Sequence, residues 1–289
     1  IDVFKTPRQL LYTRRIGRAA PAPFLRSEAP FGEQLVDLPG AATIYGASKL
    51  TGSLGESWQI ATLQAVTGRN DVDVQSADAS RSRRLVDPLT SYGVVRLKRQ
   101  FGGNGYIGFM TTATHHAEPT GDYPRAPADP NAPQGAILCP SGVVSTFGGR
   151  CFNDAYVGSM DWRWRSPSGD WVTGGQLIGT TLRDGPPRIV RDGTVIRSGD
   201  VGTSAYAYLN KEGGKHAVGQ LELEYESRKL DYNDLGYNQR SNDVRWWTQL
   251  EYRELERWGP LLESHARFEY FGRRNLDNLP IGGGYQLNI

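Results

Sequence analysis

Long hydrophobic runs are missing from this chain of 289 residues. Its longest uncharged stretch, Pro130 to Gly149, holds three prolines and is broken by glycine. It therefore reads as a loop and not as a transmembrane helix. Any crossing of a bilayer would have to be made by strands, because only helices and closed sheets satisfy every backbone group in lipid. An excess of charge of one sign is missing too. The net charge of +2 offers no bulk attraction to nucleic acid. Cysteine is scarce: Cys139 and Cys151 are the only two. They are too few to declare a disulfide framework, and both a loop disulfide at an oxidising surface and two free thiols fit them. No signal peptide is visible and the chain opens at Ile1 instead of Met, which implies a processed or cropped start. Apolar residues are 38% of the total, below an ordinary soluble enzyme.

What is present is unusual for a dry core. The chain carries 7 Trp, 14 Tyr, 9 Phe and 35 Gly. Many aromatics and glycines with little aliphatic content suit a sheet that meets lipid on one face and water on the other.

Residues 1–40 are irregular and proline-rich, with one short strand expected at Leu10 to Arg14. From 41 onward the pattern becomes alternating runs bounded by turns, and strands are expected near 42–51, 57–67, 89–100, 105–115, 153–165, 170–181, 199–210, 216–227, 243–256, 260–272 and 283–289. Most reach the ~9–11 residues that a tilted strand needs to cross a bilayer. In 153–165, Tyr156, Met160, Trp162 and Trp164 share one face while Asp161, Arg163 and Arg165 share the other. In 216–227, Leu221, Leu223 and Tyr225 oppose Glu222, Glu224 and Glu226. In 243–256, Trp246, Leu250 and Tyr252 oppose Arg245, Glu251 and Arg253, and in 260–272, Leu262, Phe268 and Tyr270 oppose Glu263, His265 and Arg267. A dry core would not accept such ionic faces without extensive pairing.

The connections sort as well. Short turns are expected near Gly52–Glu56, Gly102–Gly105, Ser166–Asp170, Lys211–Lys215 and Arg257–Gly259. Long connections fall near 68–88, 116–152, 182–198, 228–242 and 273–282, so that short and long alternate throughout. Such asymmetry is that of an outer-membrane barrel, with tight turns on the periplasmic rim and long loops outside. The expected fold is thus all-β: an antiparallel transmembrane β-barrel, partial, with about eleven strands. Residues 1–40 form a lead-in segment and 41–289 the incomplete barrel. Eleven strands would leave open edges, so the wall is expected to continue beyond 289 or to be completed by other polypeptide.

Several stretches carry a resemblance. The opening IDVFKTPRQLLYTRRIGRA, the hairpin TIYGASKLTGSLGESWQIATLQAVTG, the hairpin DPLTSYGVVRLKRQFGGNGYIGFMTT and the segment LDYNDLGYNQRSND together resemble the DUF5916 family of bacterial outer-membrane barrels. Members of that family often carry an N-terminal carbohydrate-binding domain similar to family 9 modules, and this chain lacks one. The resemblance implies an outer-membrane location and a barrel. It implies neither a substrate nor catalytic residues.

No chemical constellation points to an enzyme. His115 and His116 are strand neighbours and face opposite ways, and with Cys139 and Cys151 they match no zinc spacing. Asp231, Asn233 and Asp234, like Asp71, Asp73 and Asp78, have oxygen-ligand spacing without the EF-hand pattern, so polar loop chemistry is the default reading. The pairs Glu222/Glu224 and Glu251/Glu254 arise on any charged strand face, and no GxSxG elbow is present. The glycine runs at 102–105 and 282–284 lack a following helix and read as turns or thin strand positions. Trp246 is expected at a lipid interface and Trp247 on the inner face.

The leading functional expectation is a channel for a polar solute, with no metal and no cofactor. Its lumen would be lined by Arg163, Arg165, Glu222, Glu224, Arg245, Glu251, Arg253, Glu263 and Arg267. Arg14, Arg15 and Arg18 would fold inward as a plug, with Arg14 and Arg15 pairing with the lumen carboxylates. The expected partners are membrane lipid and lipopolysaccharide, with other outer-membrane or periplasmic proteins open and nucleic acid excluded. A structural anchor in a larger surface assembly, contacting its partner through 116–152, is the second reading. A soluble carbohydrate-binding sandwich is the third.

Overall fold

A computed structural model describes residues 2–102, 104–119, 121, 123–126, 135–146, 149–257 and 259–289. One sheet of eleven strands dominates. The strands are β1 (Ile44–Leu54), β2 (Trp58–Thr67), β3 (Leu89–Phe101), β4 (Gly105–Ala117), β5 (Asp154–Arg165), β6 (Trp171–Arg183), β7 (Val201–Lys211), β8 (Ala217–Glu226), β9 (Asp243–Glu254), β10 (Ser264–Arg274) and β11 (Pro280–Asn288). Each pairs antiparallel with its neighbour in sequence, so the sheet is one uninterrupted meander. All eleven runs read from the alternation are strands, with ends shifted by a few residues. Among the described residues no helix is long and apolar enough to cross a membrane.

The register places a row of polar side chains straight across the wall. Gln59, Lys98, Gly108, Asp161, Gln176, Tyr206, Glu224, Arg245 and Arg273 are successive cross-strand partners on one face. One residue along each strand lies the opposite row: Ile60, Leu97, Phe109, Met160, Leu177, Ala205, Tyr225 and Val244. Successive side chains of a strand point to opposite faces, so the ionic residues of these strands collect on one face, together with the small apolar cluster that the chain covers. The apolar face is open. Phe109, Leu177, Leu223, Leu250 and Phe268 are 46%, 44%, 51%, 57% and 41% exposed. Leu223 and Phe268 do not meet in a sealed interior, and the Trp162 ring packs at Gly175 on the same outer face.

The polar face is covered by the chain itself. Residues 2–17 and the connection 227–242 lie against it. Phe4, Leu10, Leu230, Tyr232 and Leu235 form one buried cluster with Ala61, Ala65, Tyr92, Val94, Met110, Val157 and Ile178 of the wall. Burial of these groups fixes the segment to the sheet at about 25 cal/mol per Å² of apolar area removed from water. Backbone bonds lock segment and connection together: Tyr12 N–H donates to Leu235 O at 2.6 Å, and Tyr237 N–H to Gln9 O at 2.9 Å.

Three local expectations are corrected. Leu10 to Arg14 is not a strand; Thr13–Arg15 is a 3-10 turn, and Tyr12 is held by the connection 227–242. The connection 68–88 is not irregular. It contains a hairpin, Asn70–Gln75 with Arg81–Asp87, to which Gln34–Leu35 adds a third strand. The alternation of short and long connections breaks at the last pair. Residues 275–279 make a tight turn in which Asn275 Oδ1 accepts from the N–H groups of Asp277 and Leu279. Residues 255–263, which contain Pro260, make the longer link on the other rim.

The sheet ends in two edges. β1 is exposed along its whole length. β1 and β11 are the first and last of eleven alternating strands, so they run in the same direction.

Candidate functional site: the covered polar face

At the middle of the polar face Arg96 of β3 reaches across β4 to Asp161 of β5. Its second guanidinium nitrogen donates to Asp161 Oδ2 at 2.8 Å, the first contacts Oδ1, and both side chains are buried. The guanidinium lies on Gly108, where a Cβ would fall 2.6 Å from Arg96 Nη2. Glycine at this position is what lets the pair form. A bidentate guanidinium–carboxylate pair is the geometry in which two buried charges satisfy each other best. Beside it the Lys98 ammonium sits 3.9 Å from the ring centre of Tyr106, a cation–π contact.

Further along the row Glu224 is the meeting point of two arginines. Arg8 of the N-terminal segment and Arg245 of β9 both contact its carboxylate. Arg8 also lies over the ring of Tyr206 at 4.0 Å, and its backbone N–H donates to Gln176 Oε1 at 2.6 Å. Glu251 pairs with Arg267 at 2.8 Å, and Arg273 donates to both oxygens of Asp243 at 2.7 Å. Ion pairs thus occupy much of the charged inner face.

The expected lumen residues fall mostly on this face. Arg163 and Glu222 lie on it, with Glu222 accepting from Gln220 at 2.6 Å. Glu224, Arg245, Glu251 and Arg267 are in the pairs just described. Arg165 contacts Glu212, and Arg253 donates to Gly214 O at 3.2 Å, so both fasten turns on the rim of the first four short connections. Glu263 is corrected: it precedes β10 and is exposed on the connection. Arg14 and Arg15 are corrected as partners of lumen carboxylates. Arg14 is exposed, Arg15 donates to Asn233 Oδ1 at 3.4 Å, and the cation that reaches a wall carboxylate is Arg8. The reason is the 3-10 turn at Thr13–Arg15, which directs the arginine cluster towards the rim. Trp247 is on the inner face opposite Glu222 and Phe271, and Trp246 covers Gly272 outside. Arg8, Arg96 and Asp161 were missed as a set. The signal was there for Arg96, since Tyr92, Val94, Arg96 and Lys98 share one parity.

The other rim is built from connections 68–88, 118–153, 184–200 and 227–242. Cys139 and Cys151 are joined in a disulfide, with their Cα atoms 5.3 Å apart. Arg150 is clamped by Asp154 at 2.8 Å and Asp184 at 2.7 Å. Glu33, buried, is bound by Arg84 at 2.7 Å and by Arg26, which holds its carboxyl down to about 2 against the opposing effect of burial. Arg188 bonds Asp231 and Asp234 at 2.8 Å each. Burial lowers the Arg188 guanidinium, and the two carboxylates outweigh it and raise it. Asp71 pairs with Arg69 at 2.7 Å, so Asp71, Asp231 and Asp234 are engaged by arginine, while Asp78 accepts from Ser80. Asp154 lies between His115 Nδ1 at 3.6 Å and His116 Nδ1 at 3.5 Å. Among the described residues no group of three histidine, cysteine or acidic side chains is placed to hold a metal.

Comparison with known proteins gives a family. No curated protein matches. A crystal structure of a doubly substituted variant of OccD1 (OprD) is similar at 11% identity, over 89% of this chain and 74% of that one, with a TM-score of 0.28. The structure of OccK2 (OpdF) of Pseudomonas aeruginosa in complex with glucuronate is similar at 11% identity, over 83% of this chain and 94% of that one, with a TM-score of 0.21. Neither likeness is close enough to assign a role. The model of the domain of unknown function DUF5916 matches residues 1–123 and 146–280, and the chain belongs to that family.

Proposed function

We propose that the chain forms the greater part of a β-barrel wall in a bacterial outer membrane, and that its inner face lines a constricted, non-enzymatic path for a polar solute. The observation that carries this reading is the segregation of the two faces. Exposed Leu, Phe and Tyr side chains stand on one side, and the ion pairs of β3, β5, β8, β9 and β10 stand on the other. Water could not favour that outer face, and acyl chains with lipopolysaccharide around them do. Backbone groups at the edges of β1 and β11 need partners in lipid. Because those strands run the same way, an odd number of further strands completes an antiparallel wall.

Residues 2–17 and the connection 227–242 narrow the path from inside, with Arg8 on Glu224 as their anchor. Single-channel recording in planar bilayers tests this. Deleting residues 2–17 is expected to raise unit conductance severalfold over the intact chain. Equal conductance in both would contradict the constriction. The extent of that cover favours a second reading, a closed wall that anchors a surface assembly through 116–152, where residues 127–134 lie outside those described. Absence of any conductance, with or without residues 2–17, selects that reading.

A further inference from the structure

A cavity of about 910 Å³ opens beneath the long connections, between the N-terminal segment and the rim. Its size is that of sites for small organic molecules, about 300–1,000 Å³. Prolines 21, 23, 140, 186 and 187 stiffen its walls, and Tyr92 and Phe152 supply apolar surface.

The charges around it are unequally used. Arg188 is committed to Asp231 and Asp234. Arg15 and Arg18 also line the cavity, and among the described residues neither forms an ion pair. Arg15 makes one long hydrogen bond, to Asn233 at 3.4 Å, while its Nε–H is enclosed without an acceptor. A buried donor left unmade is costly, and a ligand oxygen is what would satisfy it. Burial and then Arg18 press the Arg15 guanidinium down from its ordinary value, and Asp234 and Asp231, both engaged by Arg188, only partly offset this. The cavity's carboxylates are Asp231 and Asp234, which Arg188 neutralises in part, and Asp87 near Arg18, which no arginine binds among the described residues.

We propose that this cavity binds a small soluble organic carboxylate, held by the guanidiniums of Arg15 and Arg18. The planar fork of arginine matches a carboxylate in two-point contact. The proposal deepens the pore reading, for which the cavity would be the outer vestibule, and rests on that reading only for the onward passage of the solute.

Calorimetric titration of the chain in detergent tests binding apart from conduction. Citrate, inorganic phosphate and choline are the probes. Citrate is expected to bind, and choline is not. The double substitution Arg15→Gln with Arg18→Gln is expected to weaken citrate at least tenfold. Arg83→Gln, at an exposed arginine outside the cavity lining, is expected to leave it unchanged. Asp87→Asn is expected to strengthen citrate severalfold by removing the opposing charge. Circular dichroism confirms that each variant is folded. No citrate binding at millimolar concentration, equal affinity in the double variant, or tighter binding of choline would overturn the proposal. Phosphate binding tighter than citrate would assign the cavity to phosphate and overturn the carboxylate. A chain that binds citrate and does not conduct leaves the inference standing and the pore reading fallen.

Discussion

Arg96 and Asp161 sit on strands that do not pair with each other, yet they form a two-point ion pair across the single glycine, Gly108, that separates them. The pair ties β3 to β5 directly through side chains, where the backbone ladder connects them only by way of β4. Removing one partner leaves the other charge buried, which typically costs about 3–5 kcal/mol. Asp161→Ala is expected to lower stability in urea titrations by that order. Gly108→Val, which leaves both charges in place but occupies the space of the guanidinium, is expected to destabilise similarly. Wild-type stability in Gly108→Val would contradict the role given to the glycine.

The rim sheet has a pH dependence whose sign follows from Glu33. Its folded carboxyl, bound by Arg84 and Arg26, is held down to about 2 against an ordinary 4.5. A depressed carboxyl stabilises fully above about pH 4.5, and that contribution is lost as pH falls through about 2. Amide exchange of the hairpin Asn70–Gln75 with Arg81–Asp87 is expected to accelerate over that window. Glu33→Gln is expected to exchange fast at neutral pH and to show no such window.

Asp87 carries the opposite sign. Burial pushes its carboxyl up to about 6, and Arg18 only partly opposes this. A raised carboxyl binds its proton more tightly in the folded state, so stability rises as pH falls through about 6 and the gain is complete below about 3.8. Asp87→Asn is expected to be more stable than the wild type at pH 7, with the difference shrinking by pH 5. A less stable variant at pH 7 would contradict the absence of a bound partner for this carboxylate.

The disulfide between Cys139 and Cys151 closes a short loop on the rim. A loop of this length is stabilised by about 3 kcal/mol in the chain-entropy account. Replacing both cysteines by serine is expected to expose Tyr123 and Ile137, which pack against them, to proteolysis nearby while the wall strands keep their protection. Loss of wall protection as well would contradict a purely local role.

The eleven wall strands were legible in the sequence because a two-residue period survives wherever one face is apolar and the other ionic. Phe268 and Arg267, or Leu223 and Glu222, differ by one position and by every property that matters. Connections carry no such period. The strand Gln34–Leu35 is two residues long and pairs with residues some forty positions later, so no local pattern announces it. Glu263 read as part of a strand because its parity was right, yet Pro260 beside it has no N–H to donate to a ladder. Arg8 is an isolated cation in an irregular segment. Only the fold shows that it, and not the Arg14 and Arg15 pair, reaches Glu224.

The claim on which the account stands is that the outer face meets lipid. Single cysteines placed on the Cys139→Ser, Cys151→Ser background at Leu223, Leu250 and Phe268, and at Glu222, Glu251 and Arg267, can be spin-labelled in lipid vesicles and compared for collision with oxygen and with a water-soluble nickel chelate. Oxygen is expected to dominate at Leu223, Leu250 and Phe268, and the chelate at their neighbours or at neither, with a strict two-residue alternation. Equal chelate access at all six positions would contradict a membrane wall.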